Sequence, residues 1–518
     1  MSRAALAVIQ RAGMLARIGW IARKARNSSS ETERLLAKQA LAGLFADARG
    51  ITMKVGQLFA GAAGETPLRA LVTAEIEPRP LRDMLAVLEA DLGRSARTLF
   101  AVIDEARAAA SLGQVHRAVL KNGGVVALKM RYPDIAAAVD AELRLAGLLP
   151  GVGPVKRWGF DLEAYKQTLR DNMRRELDYR SEAERQRRFA AAVRMPGLRV
   201  PEVHMDLCGE RVLAQSWESG VLLDQVVGWP KQDRLLIGRT LLLTLFKSLF
   251  VAGEVHGDPN PGNYFYRRGD DGQPEVVLLD FGCTVPVSEP RRLALLKLLL
   301  ACREGMDVAP LQCFAALGFD PGKLSHLNET LPALCRVLFR PFLVDGAFHP
   351  ADWHLKRDIT ALLGEHRWWF RSAGPADLLL LMRAFQGLAA QLGRLEARLP
   401  WWPLLEQAVG AELMQRARAW TLPELPPALA SGAVSIRAIA RRLCVSVTEG
   451  SVPRISFSMP AEAALDLENI IPEDVLERIR AARVDLGAIM NHVRASGIAP
   501  QELFVLDDGP KRHRVWLE

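Results

Sequence analysis

Residues 255–282 read VHGDPNPGNYFYRRGDDGQPEVVLLDFG. Asp258 is followed five positions on by Asn263, and a turn-rich insert leads to Asp280, which opens an Asp-Phe-Gly. Carboxylate and amide oxygens are the hard ligands that Mg2+ takes. One carboxylate, one amide and a second carboxylate, brought together, could hold a metal-bound polyphosphate. The apolar Val276-Val277-Leu278-Leu279 run before Asp280 reads as a strand that delivers the carboxylate to a cleft. Asp and Asn are also ordinary turn residues. The stretch alone therefore also describes a Pro/Gly-rich turn and an unrelated strand, although His256 and the downstream Asp-Phe-Gly weigh against that.

The rest of the chain has room for such a site. Its 518 residues correspond to roughly two to four domains. Hydrophobic residues at 49% suffice for a large core, and charged residues at 24% are ordinary for a soluble protein. The six cysteines (208, 283, 302, 313, 335 and 444) form no CxxC pair, which argues against a zinc site or disulfide framework and suits a reducing compartment.

The net charge of +8 is concentrated at the start: Arg3, Arg11, Arg17, Arg23, Lys24 and Arg26 precede the first acid, Glu31. The remainder is close to neutral, so no broad nucleic-acid-binding face is expected. The basic arm, residues 1–30, admits three readings. It is a helix on an anionic membrane surface, with Met14, Ile18 and Ile21 as an apolar stripe. It is an Arg-rich presequence ending at Ser28-Ser29-Ser30. Or it is a solvated arm. Cytoplasmic residence, peripheral at an inner membrane surface, follows from the first, and the mitochondrial matrix from the second. Arg17 interrupts the only apolar run that could serve as a secretory signal.

Along the chain, residues 31–63 and 81–94 have helical periodicity. Residues 97–106, 113–120 and 125–130 are strand-like, and Asn122-Gly123 marks a hairpin between the last two. Helices are expected over 134–148 and 161–193, short strands at LRVPEV and RVLAQSW, and an apolar helix over 233–252. That helix is broken by Arg239 and Lys247 and reads as a buried core helix rather than a membrane span. Residues 290–420 are mostly helical, with a further strand at PRISFSM and helix at PEDVLERIRAARVDLGAIMNHV. The Trp368-Trp369 and Trp401-Trp402 pairs suit either helix packing or a partner surface.

Helices, a small sheet, a helix, strands, a long apolar helix, a turn-rich site and more helices resemble a two-lobed kinase, hence an α+β fold. The kinase pattern has an Asp, an Asn five positions later and a DFG Asp, together with a strand lysine that reaches phosphates. Asp258, Asn263, Asp280 and Lys129 in VVALKM fit it. Lys129 taken alone is also a good edge-strand lysine. Glu182 is available as its helical carboxylate partner. No GxGxxG follows a strand, and neither GxxxxGK[ST] nor GxSxG occurs.

Four further marks make the resemblance specific: KVGQ at 54–57, AAASLGQVH at 108–116, ELD at 176–178, and HGDPNPGN itself. In this order the chain resembles the ABC1/UbiB/ADCK (AarF) family of atypical protein-kinase-like proteins. The resemblance implies a bilobal protein-kinase-like fold with a helical N-terminal KxGQ extension and a mostly helical C-lobe. The expected divisions are 1–30, 31–94, 95–225 for the N-lobe, 226–424 for the C-lobe, and a C-terminal extension at 425–518 that carries no recognised motif.

The roles implied are these. Lys129 and Glu182 form an ion pair that positions nucleotide phosphates. Asn263 and Asp280 hold Mg2+. Asp258 occupies the catalytic-base position. The alanine-rich loop with Ala109, Ala110 and Ser111 covers the phosphates of ATP or ADP. Lys54 and Gln57 lie over the place where a protein kinase admits its peptide, with Lys54 paired to Glu176 or Asp178; those two are also what a solvated helix face looks like.

Two physical points accompany the resemblance. An alanine-rich turn cannot use the positive φ angles open to glycine, so this loop is expected to be stiff. CTVPVSEPRRLALL turns helical soon after Gly282, which leaves no room for a long activation segment. The leading expectation is an ATP-binding, Mg2+-dependent atypical kinase or ATPase that supports ubiquinone biosynthesis or lipid homeostasis at a membrane surface. A lipid-precursor or small-molecule kinase and a nucleotide-gated pseudokinase scaffold are the alternatives. Quinone-biosynthesis proteins, an isoprenoid lipid or a second copy of the chain are the expected partners.

Overall fold

The computed structural model describes residues 78–109, 112–136, 139, 158–430, 433–436, 440–450, 452–495 and 498–518. Expectations for the basic arm, for the helix over 31–63 with Lys54 and Gln57, and for Ala110 and Ser111 lie outside these residues. So does most of the helix expected over 134–148, of which Ile135, Ala136 and Val139 are described as helical.

The chain folds as two lobes. The first is an antiparallel sheet of β1 (Phe100–Ala109), β2 (Gly113–Leu120), β3 (Val125–Arg131) and β5 (Val212–Ser216), in the order β1-β2-β3-β5. The hairpin at Asn122-Gly123 forms as its sequence requires. Gly123 takes φ 89°, and the Asn122 Oδ1 accepts the Gly124 N–H at 3.0 Å. Alternation along β3 sends Val126, Leu128 and Met130, all fully buried, to one face, against Met84 and Leu88 of helix α1 (Leu81–Leu92). Burying each of these side chains contributes about 1.5–3 kcal/mol. Lys129 is on the opposite face.

Residues 161–193 form two helices rather than the one expected, α2 (Leu162–Glu176) and α3 (Tyr179–Ala192). Asp178 stops the first by adopting an extended conformation and accepting the Ser181 N–H at 3.0 Å as the N-cap of the second. Such a cap is worth about 1 kcal/mol, more than an aspartate returns in a helix interior. The break sets α3 across the sheet and turns Glu182, in its first turn, toward Lys129.

LRVPEV supplies only the two-residue β4 (Leu198–Arg199), and it joins the second lobe, where it pairs parallel with β8 (Pro274–Leu278) in the order β4-β8-β7, with β7 at Tyr264–Arg268. The short strands β6 (Glu254–His256) and β9 (Thr284–Pro286) pair beside it. Helix α4 (Lys231–Phe246) runs on through a wider π turn, Lys247–Ala252. Its 22 residues are long and apolar enough to cross a membrane by length and composition, at mean hydropathy 1.8. Here it lies in a core as expected: Ile237, Leu242, Phe246 and Phe250 pack with Trp401 of α8 (Trp401–Val409). Trp401 is ringed by Phe246, Phe342, Phe348, Trp353 and Phe385, so that tryptophan pair belongs to the interior. Helices α5 (Glu289–Glu304), α6 (Leu331–Leu343) and α7 (Leu378–Arg394) complete the principal helices of this lobe.

The C-terminal region is richer in strand than its sequence suggested. PRISFSM lies in β11 (Val452–Pro460), an edge of a four-stranded sheet with β10 (Arg442–Glu449), β13 (Lys511–Leu517) and β12 (Gln501–Asp508). The helical stretch beside it forms α9 (Glu473–Ala481) and α10 (Leu486–Ala495), separated where Arg483 takes φ 58°. Leu443, Val515 and Leu517 share one core with Leu298 and Leu334 of the helical lobe. A buried Arg336–Glu462 ion pair at 2.9 Å crosses the same boundary.

Candidate active site

The site is built where the sheet face carrying Lys129 meets α3 and the exit of β8. Glu182, 1% exposed, receives the Lys129 ammonium on both carboxylate oxygens, at 2.7 and 3.0 Å. The same Nζ donates to Asp280 Oδ2 at 2.9 Å. Tyr179, the first residue of α3, places its ring 4.9 Å from that Nζ. Burial by itself would lower the pKa of Lys129. The Asp280 and Glu182 carboxylates outweigh it and hold the ammonium well above the usual lysine range.

Asp280 leaves β8 and is fixed from three sides. Its Oδ1 accepts the Gly282 N–H at 2.8 Å, its carbonyl is bonded by His256, and the following Phe281 is fully buried against Phe189 with ring centroids 5.0 Å apart. Arg185, one turn beyond Glu182, donates to the Phe281 and Gly282 carbonyls at 3.2 and 3.4 Å. The Phe281 N–H approaches Glu182 Oε1 at 3.4 Å. Helix α3 thus grips both Lys129 and the Asp-Phe-Gly.

The loop after β6 carries the other two groups. Asn263 closes a 3-10 turn, Pro261–Asn263, capped by Asn260. Its Nδ2 donates to the Asp258 carbonyl at 3.3 Å, and its own carbonyl accepts the Leu279 N–H at 3.0 Å. That last bond ties the loop to the residue before Asp280. Asp258 is nearly buried and receives Arg383 of α7 on Oδ1 at 2.8 Å.

Lys129, Glu182, Asp258, Asn263 and Asp280 are therefore gathered in one place. Ala109 ends β1 opposite Gln114, at the start of the alanine-rich loop. Gly113 ends that loop, and a Cβ there would come 2.4 Å from the Met130 carbonyl oxygen, so the close approach of the start of β2 to the end of β3 needs glycine. Glu176 is buried and accepts Asn172 Nδ2 at 2.9 Å, beside Gly282. Both Asp178 oxygens meet Ser181. Their expected partner Lys54 lies outside the described residues. Only residues 283–288 separate Gly282 from α5, in agreement with the short connection expected.

Arg383 was not anticipated, since nothing local marks an arginine 125 positions from its partner. Tyr179 directly follows the ELD mark, and Arg185 flanks Glu182. The signal for Arg185 was its position three residues after Glu182, on the same helix face.

A model of the ABC1 atypical kinase-like domain matches residues 71–308. The chain is 30% identical over 367 residues to the mitochondrial atypical kinase COQ8B of Rattus norvegicus, an alignment covering 68% of each chain. It is 32% identical over 257 residues to AarF domain-containing protein kinase 1 of Mus musculus, covering 47% of this chain and 49% of that one. A solved erythromycin complex of Rv3197 from Mycobacterium tuberculosis is matched over 74% of this chain and 98% of that one, at 28% identity and a TM-score of 0.49. With a relative 30% identical and matched over two thirds of its length, the chain belongs to the ABC1 atypical kinase-like family.

Proposed function

We propose that this protein binds ATP with Mg2+ and transfers or hydrolyses its γ-phosphoryl group at a membrane surface, in support of ubiquinone or other isoprenoid-lipid metabolism. The observation that carries the reading is Lys129, held between Glu182 and Asp280 at 2.7 and 2.9 Å. Phosphoryl transfer needs positioning and charge stabilisation more than covalent help, and a lysine fixed by two carboxylates is suited to that.

The residues present fit a hard divalent cation. Asp280 contributes a partly exposed carboxylate. Asn263 has turned Nδ2 to the Asp258 carbonyl, which leaves Oδ1 as its ligand atom. Asp280 and Asn263 would hold Mg2+, which would supply positive charge against the phosphates. Lys129 orients the phosphates, and Asp258 orients the attacking hydroxyl and takes its proton. The short 283–288 connection favours a small acceptor or water over a folded peptide. The link to quinone lipids and the choice between a mitochondrial and a cytoplasmic membrane face rest on the family relationship.

The test is Mg2+-dependent ATP hydrolysis by purified protein, with and without anionic liposomes, beside Asp280→Asn. Activity stimulated by lipid and abolished by the substitution is the expected result. Tight nucleotide binding without turnover under any condition would overturn hydrolysis and favour a nucleotide-gated scaffold, and turnover only with an added lipid precursor would favour a kinase of that precursor.

A further inference from the structure

Helix α7 begins about a hundred residues after Asp280, yet two of its successive turns touch the loop that carries Asp258 and a third touches the strand that follows it. Arg383, Gly387 and Gln391 are spaced i, i+4 and i+8 and so share one face. Arg383 Nη2 donates to Asp258 Oδ1 at 2.8 Å, with the side chains only 14% and 10% exposed. At Gly387 a Cβ would come 2.0 Å from Pro259 Cβ and 2.4 Å from its Cγ, so the loop lies directly on the helix backbone. Gln391 Oε1 accepts the buried Tyr266 hydroxyl at 3.0 Å, in the strand that follows Asn263. At its N-terminal end α7 is anchored by Asp377, which holds Arg291 of α5 through two bonds at 2.6 and 3.1 Å.

The kinase loop pattern carries an arginine immediately before its aspartate. Here that position is Gly257. A Cβ at Gly257 would meet Cys283 Sγ at 3.0 Å and Val285 Cγ2 at 3.1 Å, so β9 crowds out a long side chain. The cation beside Asp258 comes from Arg383 of α7, through space.

We propose that Arg383 is a positioning residue for Asp258, and that the Arg383–Gly387–Gln391 face of α7 is the platform that sets the orientation of the Asp258 carboxylate and the loop through Asn263. This rests on the reading of Asp258 as the group that orients the acceptor. A planar guanidinium fixes a carboxylate's rotation as well as its charge, which an ammonium does less well. Loss of that orientation lowers kcat and leaves nucleotide affinity in place.

The test compares full-length wild type with Arg383→Ala, Arg383→Lys, Gly387→Ala, Asp258→Asn and the Asp258→Asn/Arg383→Ala double variant. Two measurements are made: amide hydrogen exchange of residues 256–264, and ATP hydrolysis with nucleotide affinity. Arg383→Ala is expected to speed loop exchange about tenfold and to lower kcat on the order of 100-fold, the size of effect that follows a misplacement of about 1 Å. Nucleotide affinity should stay within about twofold, as should exchange in β3. Arg383→Lys should fall between, and it reads the same ordering if the alanine variant does not fold. Gly387→Ala should loosen the loop without removing any charge. In the Asp258→Asn background, Arg383→Ala should add less than about twofold. Loop exchange and kcat unchanged in Arg383→Ala, or an equal loss in the Asp258→Asn background, would overturn the proposal. If wild type hydrolyses no ATP but its loop exchange responds as stated, the platform stands and the catalytic reading fails.

Discussion

Replacing Glu182 with glutamine tests the joint that fastens α3 to the sheet at Lys129. The variant keeps the shape of a side chain that is only 2% exposed, but it removes the charge and turns an amide NH2 toward the Lys129 ammonium. Two bonds of 2.7 and 3.0 Å become at most one, while Lys129 retains Asp280 at 2.9 Å. A hydrogen bond to a charged group contributes about 1.5–3 kcal/mol, and breaking a buried pair outright costs about 3–5 kcal/mol. Because Asp280 still compensates the lysine, the lower range applies, about 1.5–3 kcal/mol. That corresponds to a roughly 10- to 150-fold increase in the opening equilibrium of the elements it joins. Hydrogen exchange of the β3 and α3 amides reads it directly, without requiring the whole chain to unfold in one step. Exchange in both elements within about threefold of wild type would refute the view that this pair fastens α3 to the sheet. An equal acceleration in the C-terminal sheet would show global destabilisation instead.

Two further outcomes follow from buried polar groups. His116 places Nδ1 2.8 Å from the Asp104 carbonyl and Nε2 2.9 Å from Gln114 Nε2, an arrangement satisfied by the neutral ring, and burial holds its pKa below the ordinary 6.5. The unfolded chain then takes the proton more readily, so N-lobe stability should be full above pH 6.5 and lost as pH falls below it toward the folded value; β2 amide exchange should show this slope in wild type and not in His116→Gln. Glu462→Ala would leave the buried Arg336 guanidinium without its carboxylate and should cost about 3–5 kcal/mol, seen as at least tenfold faster proteolytic release of the C-terminal sheet; release within twofold of wild type would show that the ion pair does not fasten that sheet.

Much of the site was legible because its parts are local. Asp258 and Asn263 share one loop, Asp280 ends a short apolar strand, and Lys129 lies in a strand marked by an Asn-Gly hairpin. The break at Asp178 was not, although an aspartate is a good cap. The helical periodicity on either side continues without a change of phase large enough to show, and the contact of Glu182 with Lys129 adds to what the cap contributes. The C-terminal strands β10, β12 and β13 were missed for a related reason. Their sequences mix polar and apolar residues, and what stabilises them is a core shared with α5 and α6, distant in the chain.

What the sequence determined by itself is the set of chemical groups and the local turns that present them, because backbone propensities and short-range spacing act within a few residues. What only the tertiary structure decided is how the groups around them are held: Arg185 on the Phe281 carbonyl, and Arg383 on Asp258 across 125 residues. Each is a buried polar contact between elements whose separation along the chain carries no signal. Burial removes water as an alternative partner, and packing alone chooses which charge arrives to replace it.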